Sequence, residues 1–356
     1  MKKVLLFTEN LGSGGAERQL TGLAVLLKNT GYVVKVVTYI KAQHYESFLR
    51  KNGVDYEFRK ELAPQLFRVW RLLKLFRHWQ PDVIISFLPS PNMVCCLSSF
   101  FYKCKFIVSE RSYTDSLSLK RRITFGLYRR VTWIVTNSYA EGENISQRFP
   151  SLKDKIKVIT NFVDTDAFSP AEKYVSKNSP MILTVGRILP VKNYLRYCEA
   201  VRMIKDSDMR VEFIWVGKPN DEEQLRLFKE KIQKEGIADL VKLMPESNDI
   251  INYYRQADIL LLPSLHEGYP NVLVEAMSCG LPVICSNVCE IPKIVEDGVN
   301  GFLFNPQDVN DIVYTMKKIL DYSYEQRFEM GCRNRKKIVR NNSKIAFLKN
   351  YLKLLS

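Results

Sequence analysis

The sequence predicts an α/β protein built from two doubly wound, Rossmann-like domains in series, and three observations predict it. Short β-branched runs alternate with longer amphipathic ones, the alternation restarts halfway along the chain, and each half opens with an apolar run that leads into a glycine-bearing loop. In the first half Val4–Phe7 leads into a glycine loop and a helical run from Ala16 to Asn29. Val33–Tyr39, Val83–Leu88, Phe106–Ser109 and Trp133–Asn137 continue the series. The theme restarts at Met181–Val185, followed by Val211–Val216, Val241–Met244, Ile259–Leu262 and Pro282–Cys285. A length of 356 residues suits two domains at about 100–200 residues each. The hinge is expected near Asn161–Pro170, dividing residues 1–167 from 168–342. The tail, 343–356, is a helical pattern with Ile345, Leu348, Leu352 and Leu355 on one face, expected to pack back on the first domain.

Composition narrows the class. Hydrophobic residues make up 46% and charged residues 26%, which is ordinary for a globular chain. The formal net charge of +15 is uneven: residues up to Pro170 hold 26 Lys and Arg against 14 Asp and Glu, and the remainder 27 against 24. A basic first half implies an anionic partner such as nucleic acid, anionic lipid or a phosphorylated acceptor. The eight cysteines form no Cys-x-x-Cys pair and there are three histidines, so buried thiols in a reducing compartment are expected rather than zinc. Val4–Phe7 is too short for a signal h-region, and no stretch of about 18 uncharged apolar residues is present. Phe67 to Trp79 reads as a basic aromatic amphipathic helix, and Lys120–Arg121–Arg122 with Arg129–Arg130 forms a second basic cluster. Both suit a membrane surface or, equally, an ordinary helix with a core-facing side.

The chemistry-bearing motifs follow strands. Gly12–Ser13–Gly14–Gly15–Ala16–Glu17 lies between the first strand and first helix, where amides and a helix N-terminus attract anions. It matches neither Gly-x-Gly-x-x-Gly, since Glu17 holds the third glycine's place, nor a Walker loop. Gly186–Arg187 with Lys192 puts two cations just beyond a parallel strand, the usual ligand end of such sheets. Pro263 to Gly280 then carries Glu267 in a loop and Glu275 eight residues on in a helix, among Val272, Leu273 and Met277. A carboxylate in that setting needs hydrogen-bond donors, which ribose hydroxyls supply.

Taken together, these stretches, with Val135–Thr136–Asn137–Ser138 and Asn161–Phe162–Val163–Asp164 before Phe168, resemble glycosyltransferase family 4 over nearly the whole chain. The resemblance implies the GT-B fold, two domains facing across a deep cleft, and retaining transfer from a nucleotide sugar. It implies that Arg187 and Lys192 hold the donor diphosphate, Glu267 the sugar hydroxyls and Glu275 the ribose. Gly14 and Gly15 would close over the phosphates, and Gly268, Tyr269, Pro270, Asn271 and Val272 would approach sugar and phosphate. Arg187, Lys192 and Glu267 are the candidate catalytic residues. Ser86–Phe87–Leu88 and Val108–Ser109–Glu110 resemble bacterial N-acetylhexosaminyltransferases of lipid-linked glycan and capsule pathways. They make Glu110, Arg111 and Asn92 acceptor-side candidates.

The implied reaction takes an N-acetylhexosamine from a UDP donor to a lipid-linked or polysaccharide acceptor in capsule or lipopolysaccharide synthesis. The expected setting is the cytoplasmic face of the inner membrane, with no cofactor, no obligatory metal and no nucleic acid. A GDP-mannose or other hexose donor is the alternative within the family. Arg111 stands where many members have histidine, and a permanent cation cannot relay a proton. Lys218 and Met244–Pro245 replace usual glycines near the expected nucleotide pocket, leaving base preference open. Asp164–Thr165–Asp166 and Asp206–Ser207–Asp208 have the Asp-x-Asp form of metal-dependent transferases but read as turn residues. A nucleic-acid binder is disfavoured by the lack of any helix-turn-helix, finger or RNA-recognition signature. A silent subunit is disfavoured by the two cations and two glutamates; an epimerase would turn over donor without acceptor.

Overall fold

The structure, a computed structural model, describes every residue except 43, 64–66, 113–117, 173–178, 208 and 248. It divides into two compact units, Met1–Phe162 with Lys344–Ser356, and Val163–Ser343.

In unit 1, β1 (Lys3–Phe7), α1 (Gly15–Asn29), β2 (Val33–Thr38), α2 (Glu46–Lys51), β3 (Asp55–Phe58), α3 (Arg68–Trp79) and β4 (Val83–Phe87) come first. They are followed by α4 (Pro89–Ser98), β5 (Lys105–Glu110), α5 (Leu119–Leu127), β6 (Trp133–Thr136), α6 (Tyr139–Arg148) and β7 (Ile156–Val158). Among the described residues the strands form a seven-stranded parallel sheet in the order β3-β2-β1-β4-β5-β6-β7. The central strands are continuous apolar runs because helices cover both faces: Val4, Leu6, Ile85 and Ile107 pack on one side, Leu5, Ile84 and Val108 on the other.

Unit 2 repeats the plan. It contains β8 (Met181–Val185), α7 (Tyr194–Lys205), β9 (Glu212–Val216), α8 (Glu222–Lys234), β10 (Val241–Met244), α9 (Ile250–Gln256) and β11 (Ile259–Leu262). Then come α10 (Asn271–Ser278), β12 (Val283–Ser286), α11 (Ile291–Ile294), β13 (Phe302–Phe304), α12 (Val309–Leu320) and α13 (Tyr324–Asn342). Its sheet order among the described residues is β10-β9-β8-β11-β12-β13, again parallel. Trp215, Tyr197, Phe213 and Phe228 fill the core on one face, the Tyr197 and Trp215 rings meeting edge-on at 5.1 Å.

In each sheet the order reverses beside the first strand, between β1 and β4 in unit 1 and between β8 and β11 in unit 2. Crevices for ligands open at such points, beyond the carboxyl ends of the strands. The Gly12–Gly15 loop follows β1, the Arg187–Lys192 loop follows β8, and the Glu267 loop follows β11.

The chain re-enters unit 1 through α14 (Lys344–Leu355), which packs on α1. The face it buries differs from the expected one. Phe347, Tyr351, Leu354 and Leu355 are buried, whereas Ile345 is 80% exposed and Leu348 and Leu352 are partly buried. The two rings set the orientation: Phe347 contacts Tyr351 at 5.0 Å and Phe162 at 4.9 Å, and aromatic area outweighs a single isoleucine. Phe347→Ala should therefore cost about 3–5 kcal/mol in urea unfolding. Ile345→Ala should stay within about 0.5 kcal/mol. A reversed ranking would refute this packing.

The eight cysteines are all free, five of them buried. Among the described residues no helix is long and apolar enough to cross a membrane.

Candidate functional site

The site in unit 2 is built by two loops that meet beside the β8–β11 boundary. After β8 the chain runs Gly186–Arg187, makes a short 3₁₀ turn at Pro190–Lys192, and enters α7 through Asn193 at φ +61. Proline starts such a turn well, and asparagine tolerates the left-handed conformation. Asn193 is fixed there by donating from Nδ2 to the Pro306 carbonyl at 2.8 Å. The Leu265 amide donates to the Val191 carbonyl at 2.8 Å, tying the loop after β11 to the loop after β8.

This tie brings Lys192 and Glu267 together. The Lys192 ammonium donates to Glu267 Oε1 at 2.5 Å, and Ser264 Oγ donates to the same oxygen at 2.7 Å. Both charged side chains are largely covered, at 19% and 11% exposure. The pair is therefore poorly screened, and an arriving phosphate would compete with the carboxylate for the same ammonium. Arg187 is exposed on the same loop and makes no ion pair among the described residues.

Glu275 sits apart from that pair, buried in α10, and its Oε2 accepts from the Tyr254 hydroxyl of α9 at 3.0 Å. Gly268 is half-buried, and Tyr269 is buried with its hydroxyl accepting from Asn342 Nδ2 at 2.5 Å. Pro270 caps α10, Asn271 begins it, and Val272 packs against the core beneath. Sequence reasoning missed Tyr254 and Ser264. A tyrosine 21 residues before Glu275 carries no local signal, whereas Ser264, three residues before Glu267, lay in plain view.

Gly217 holds the β8 and β9 loop ends in register. A Cβ there would lie 2.0 Å from the Gly186 carbonyl oxygen. Lys218 is exposed, and its carbonyl accepts from the Ile188 amide at 2.9 Å, so its backbone braces the Arg187 loop. The Met244 carbonyl accepts from the Gly217 amide at 3.0 Å.

Unit 1 has its own loop at the corresponding place. Gly14 caps α1 and Gly15 begins it, both exposed. The Glu17 carboxylate folds back over this loop, with Oε2 2.2 Å from where a Gly14 Cβ would stand. Burial, with Glu9 adding to it, raises the Glu17 pKa against a backbone hydrogen bond that lowers it. A side chain there would displace the carboxylate, which is the flexible end of a side chain and free to swing aside.

The acceptor-side candidates separate into two groups. Glu110 and Asn92 are fully buried together: Asn92 Nδ2 lies 3.3 Å from Glu110 Oε1, the Tyr128 hydroxyl donates to the same oxygen, and Arg121 pairs with Oε2 at 3.0 Å. Burial and the Glu110 charge push the Tyr128 hydroxyl well above its ordinary pKa. Arg111 turns elsewhere, its guanidinium 4.0 Å over the Phe87 ring and donating to Asn161 at 3.1 Å and the Tyr351 hydroxyl at 2.8 Å. Desolvation lowers its pKa, partly offset by Tyr351.

Of the two Asp-x-Asp triplets, Asp164 caps a turn, accepting from the Ala167 amide at 3.4 Å. Asp206 ends α7 and pairs with Arg202 at 3.0 Å; Asp208 lies outside the described residues. Among the described residues no group of three or more His, Cys, Asp or Glu is arranged to hold a metal ion.

Residues 13–167 match the family described as Glycosyltransferase Family 4, and residues 167–337 match Glycosyl transferases group 1. The fold is that of GT-B transferases. The Anabaena Alr3699/HepE structure in complex with UDP superimposes with a TM-score of 0.89 at 19% identity, covering 100% of this chain and 99% of that one. A Campylobacter jejuni N-acetylgalactosamine-N,N'-diacetylbacillosaminyl-diphospho-undecaprenol 4-alpha-N-acetylgalactosaminyltransferase is 24% identical over 339 residues, 90% of this chain and 91% of that protein. An Escherichia coli UDP-Gal:alpha-D-GlcNAc-diphosphoundecaprenol alpha-1,3-galactosyltransferase is 32% identical over 193 residues, 51% of this chain and 49% of that protein. The chain belongs to glycosyltransferase family 4 and is a glycosyltransferase.

Proposed function

We propose that this glycosyltransferase retains anomeric configuration and moves an N-acetylhexosamine from a UDP donor onto a lipid-linked or polysaccharide acceptor of cell-surface glycan synthesis. The observation that carries the donor half is the covered Lys192–Glu267 pair beside exposed Arg187, at the point where the strand order reverses. On this proposal the diphosphate takes the Lys192 ammonium and the Arg187 guanidinium, and Glu267 turns to the sugar hydroxyls. As the anomeric bond to phosphate breaks, charge grows on the leaving oxygen, and the two cations stabilise it. The acceptor hydroxyl attacks on the leaving-group face and passes its proton to the departing phosphate. No obligatory metal is required, because the cations come from the chain. Glu275 holds the ribose, with Tyr254 fixing the carboxylate. In unit 1, Gly14 and Gly15 serve the phosphates, and Glu110 with Asn92 shapes the acceptor side.

The acceptor half is supported by the two relatives whose names specify diphosphoundecaprenol acceptors. Such an acceptor calls for a peripheral enzyme at the cytoplasmic face of the membrane. The galactosyl donor of one relative favours a second reading, in which the sugar is a plain hexose.

Thermal shift with UDP, GDP, ADP and CMP tests the donor site. UDP alone should raise Tm, by ligand linkage. Glu275→Ala should abolish the response and Tyr254→Phe weaken it. A GDP-selective shift would replace the donor assignment, and no shift with any nucleotide would refute the site.

A further inference from the structure

Three stretches of unit 1 carry cations with no acid among them. Residues 67–79, 98–105 and 118–130 hold eleven Lys or Arg and no Asp or Glu. The fold brings them side by side, since α3 packs on α4 and α4 on α5. Large rings stand out where they meet. Trp70 is 61% exposed, Phe101 59%, and Phe67 and Phe100 52% each.

These rings are connected rather than scattered. Trp70 stacks on Phe101 with centroids 6.1 Å apart, linking α3 to the turn after α4. Arg130 lies 4.6 Å over Phe100, and Arg71 lies 6.0 Å from the Phe67 ring. The buried face of α3 is separate, formed by Arg68, Leu72, Leu73, Leu75 and Phe76, so Trp70 is not needed by the core. On α5, Leu119 and Ile123 are 75% and 55% exposed, one helical turn apart. Connected exposed apolar surface of this kind marks an interaction site.

We propose that Phe67, Trp70, Phe100 and Phe101, framed by Arg71 and Arg130, insert into the headgroup region of an anionic bilayer. This deepens the peripheral-membrane part of the proposed function by assigning it a surface. Charge complementarity selects the occupant. A second copy would bring one acid-free cationic face against another and be repelled. An anionic leaflet attracts the exposed cations of these stretches, buried Arg68 and Glu110-paired Arg121 aside, while the rings find the amphipathic boundary where Trp and Phe settle. Arginine held against a ring keeps its charge at the surface as the ring descends.

The test is sedimentation with phosphatidylcholine vesicles, with and without phosphatidylglycerol, using the full chain and Trp70→Ser/Phe101→Ser. The full chain should bind the anionic vesicles, weaken with added salt, and bind pure phosphatidylcholine little. The double variant should partition about tenfold less with unchanged Tm, because both side chains are exposed. Quenching by bromolipid should also fall in Trp70→Phe. The proposal is overturned if the full chain ignores both vesicles, if the double variant binds as well as the parent, or if single-stranded oligonucleotide binds in preference to anionic vesicles. The UDP thermal shift reads unit 2 independently, so its failure would sink the donor assignment and leave this surface standing.

Discussion

Lys192→Met should lower kcat/KM by about 10²–10³-fold while the protein remains folded. The lysine supplies the covered positive charge of the proposed site, and methionine keeps the stem that lies along Gly186 but removes the ammonium. Glu267 is then left with Ser264 as its donor, a hydroxyl in place of a cation. Lys192→Arg should recover only part of the loss, since a planar fork does not fit a point-charge position. Initial rates of sugar transfer, with whichever donor nucleotide stabilises the protein, measure this. A loss below about tenfold, or 1.4 kcal/mol, would remove Lys192 from the reaction.

Gly217→Ala should destabilise the protein by at least about 3 kcal/mol, the upper end for overpacking, and should also abolish the nucleotide response. The added methyl would meet the Gly186 carbonyl oxygen at 2.0 Å and its carbon at 2.6 Å. Both are backbone atoms, so relief requires moving the loop that carries Arg187. Gly331→Ala is the matched control. Its methyl would lie 1.9 Å from the Gly280 carbonyl oxygen, where α13 crosses the end of α10, remote in sequence from the Arg187 loop. Denaturant midpoints should fall for both variants, but Gly331→Ala should keep its shift with UDP. If both keep it, the β8 loop tolerates more movement than its packing implies.

The central strands were legible because burial on both faces leaves near-continuous apolar runs, as at Val83–Phe87 and Ile259–Leu262. Of the edge strands, Val241–Met244 was legible and the other three were not. Asp55–Phe58 mixes charged and aromatic residues, and Ile156–Val158 and Phe302–Phe304 have three residues each. Pairing on one side supplies their order, and a short sequence window does not register a neighbour. The paired cations and glutamates were visible as types at suggestive spacings. That Lys192 touches Glu267, 75 residues on, depends on β8 lying next to β11, which is a property of topology. The tail shows the opposite failure: its period was plain, but choosing among Ile345, Phe347 and Tyr351 needed the rings of Phe162 and α14 in place.

The Val163 amide donates to the Asn342 carbonyl at 2.8 Å, and Val163 bridges to Ser343, so the entry and exit of unit 2 lie side by side. Unit 2 is thus a complete insert within the chain of unit 1. On a ribosome, unit 1 emerges first yet lacks Phe347 and Tyr351 until the whole insert has been made. At about 5–20 residues per second, that delay is roughly 10–40 s. During it, the α1 surface that α14 will cover is open to solvent and to chaperones. The later-born unit has all its strands before the earlier one can close, so substitutions in α14 should lower yield during synthesis as well as speed unfolding once the chain is complete.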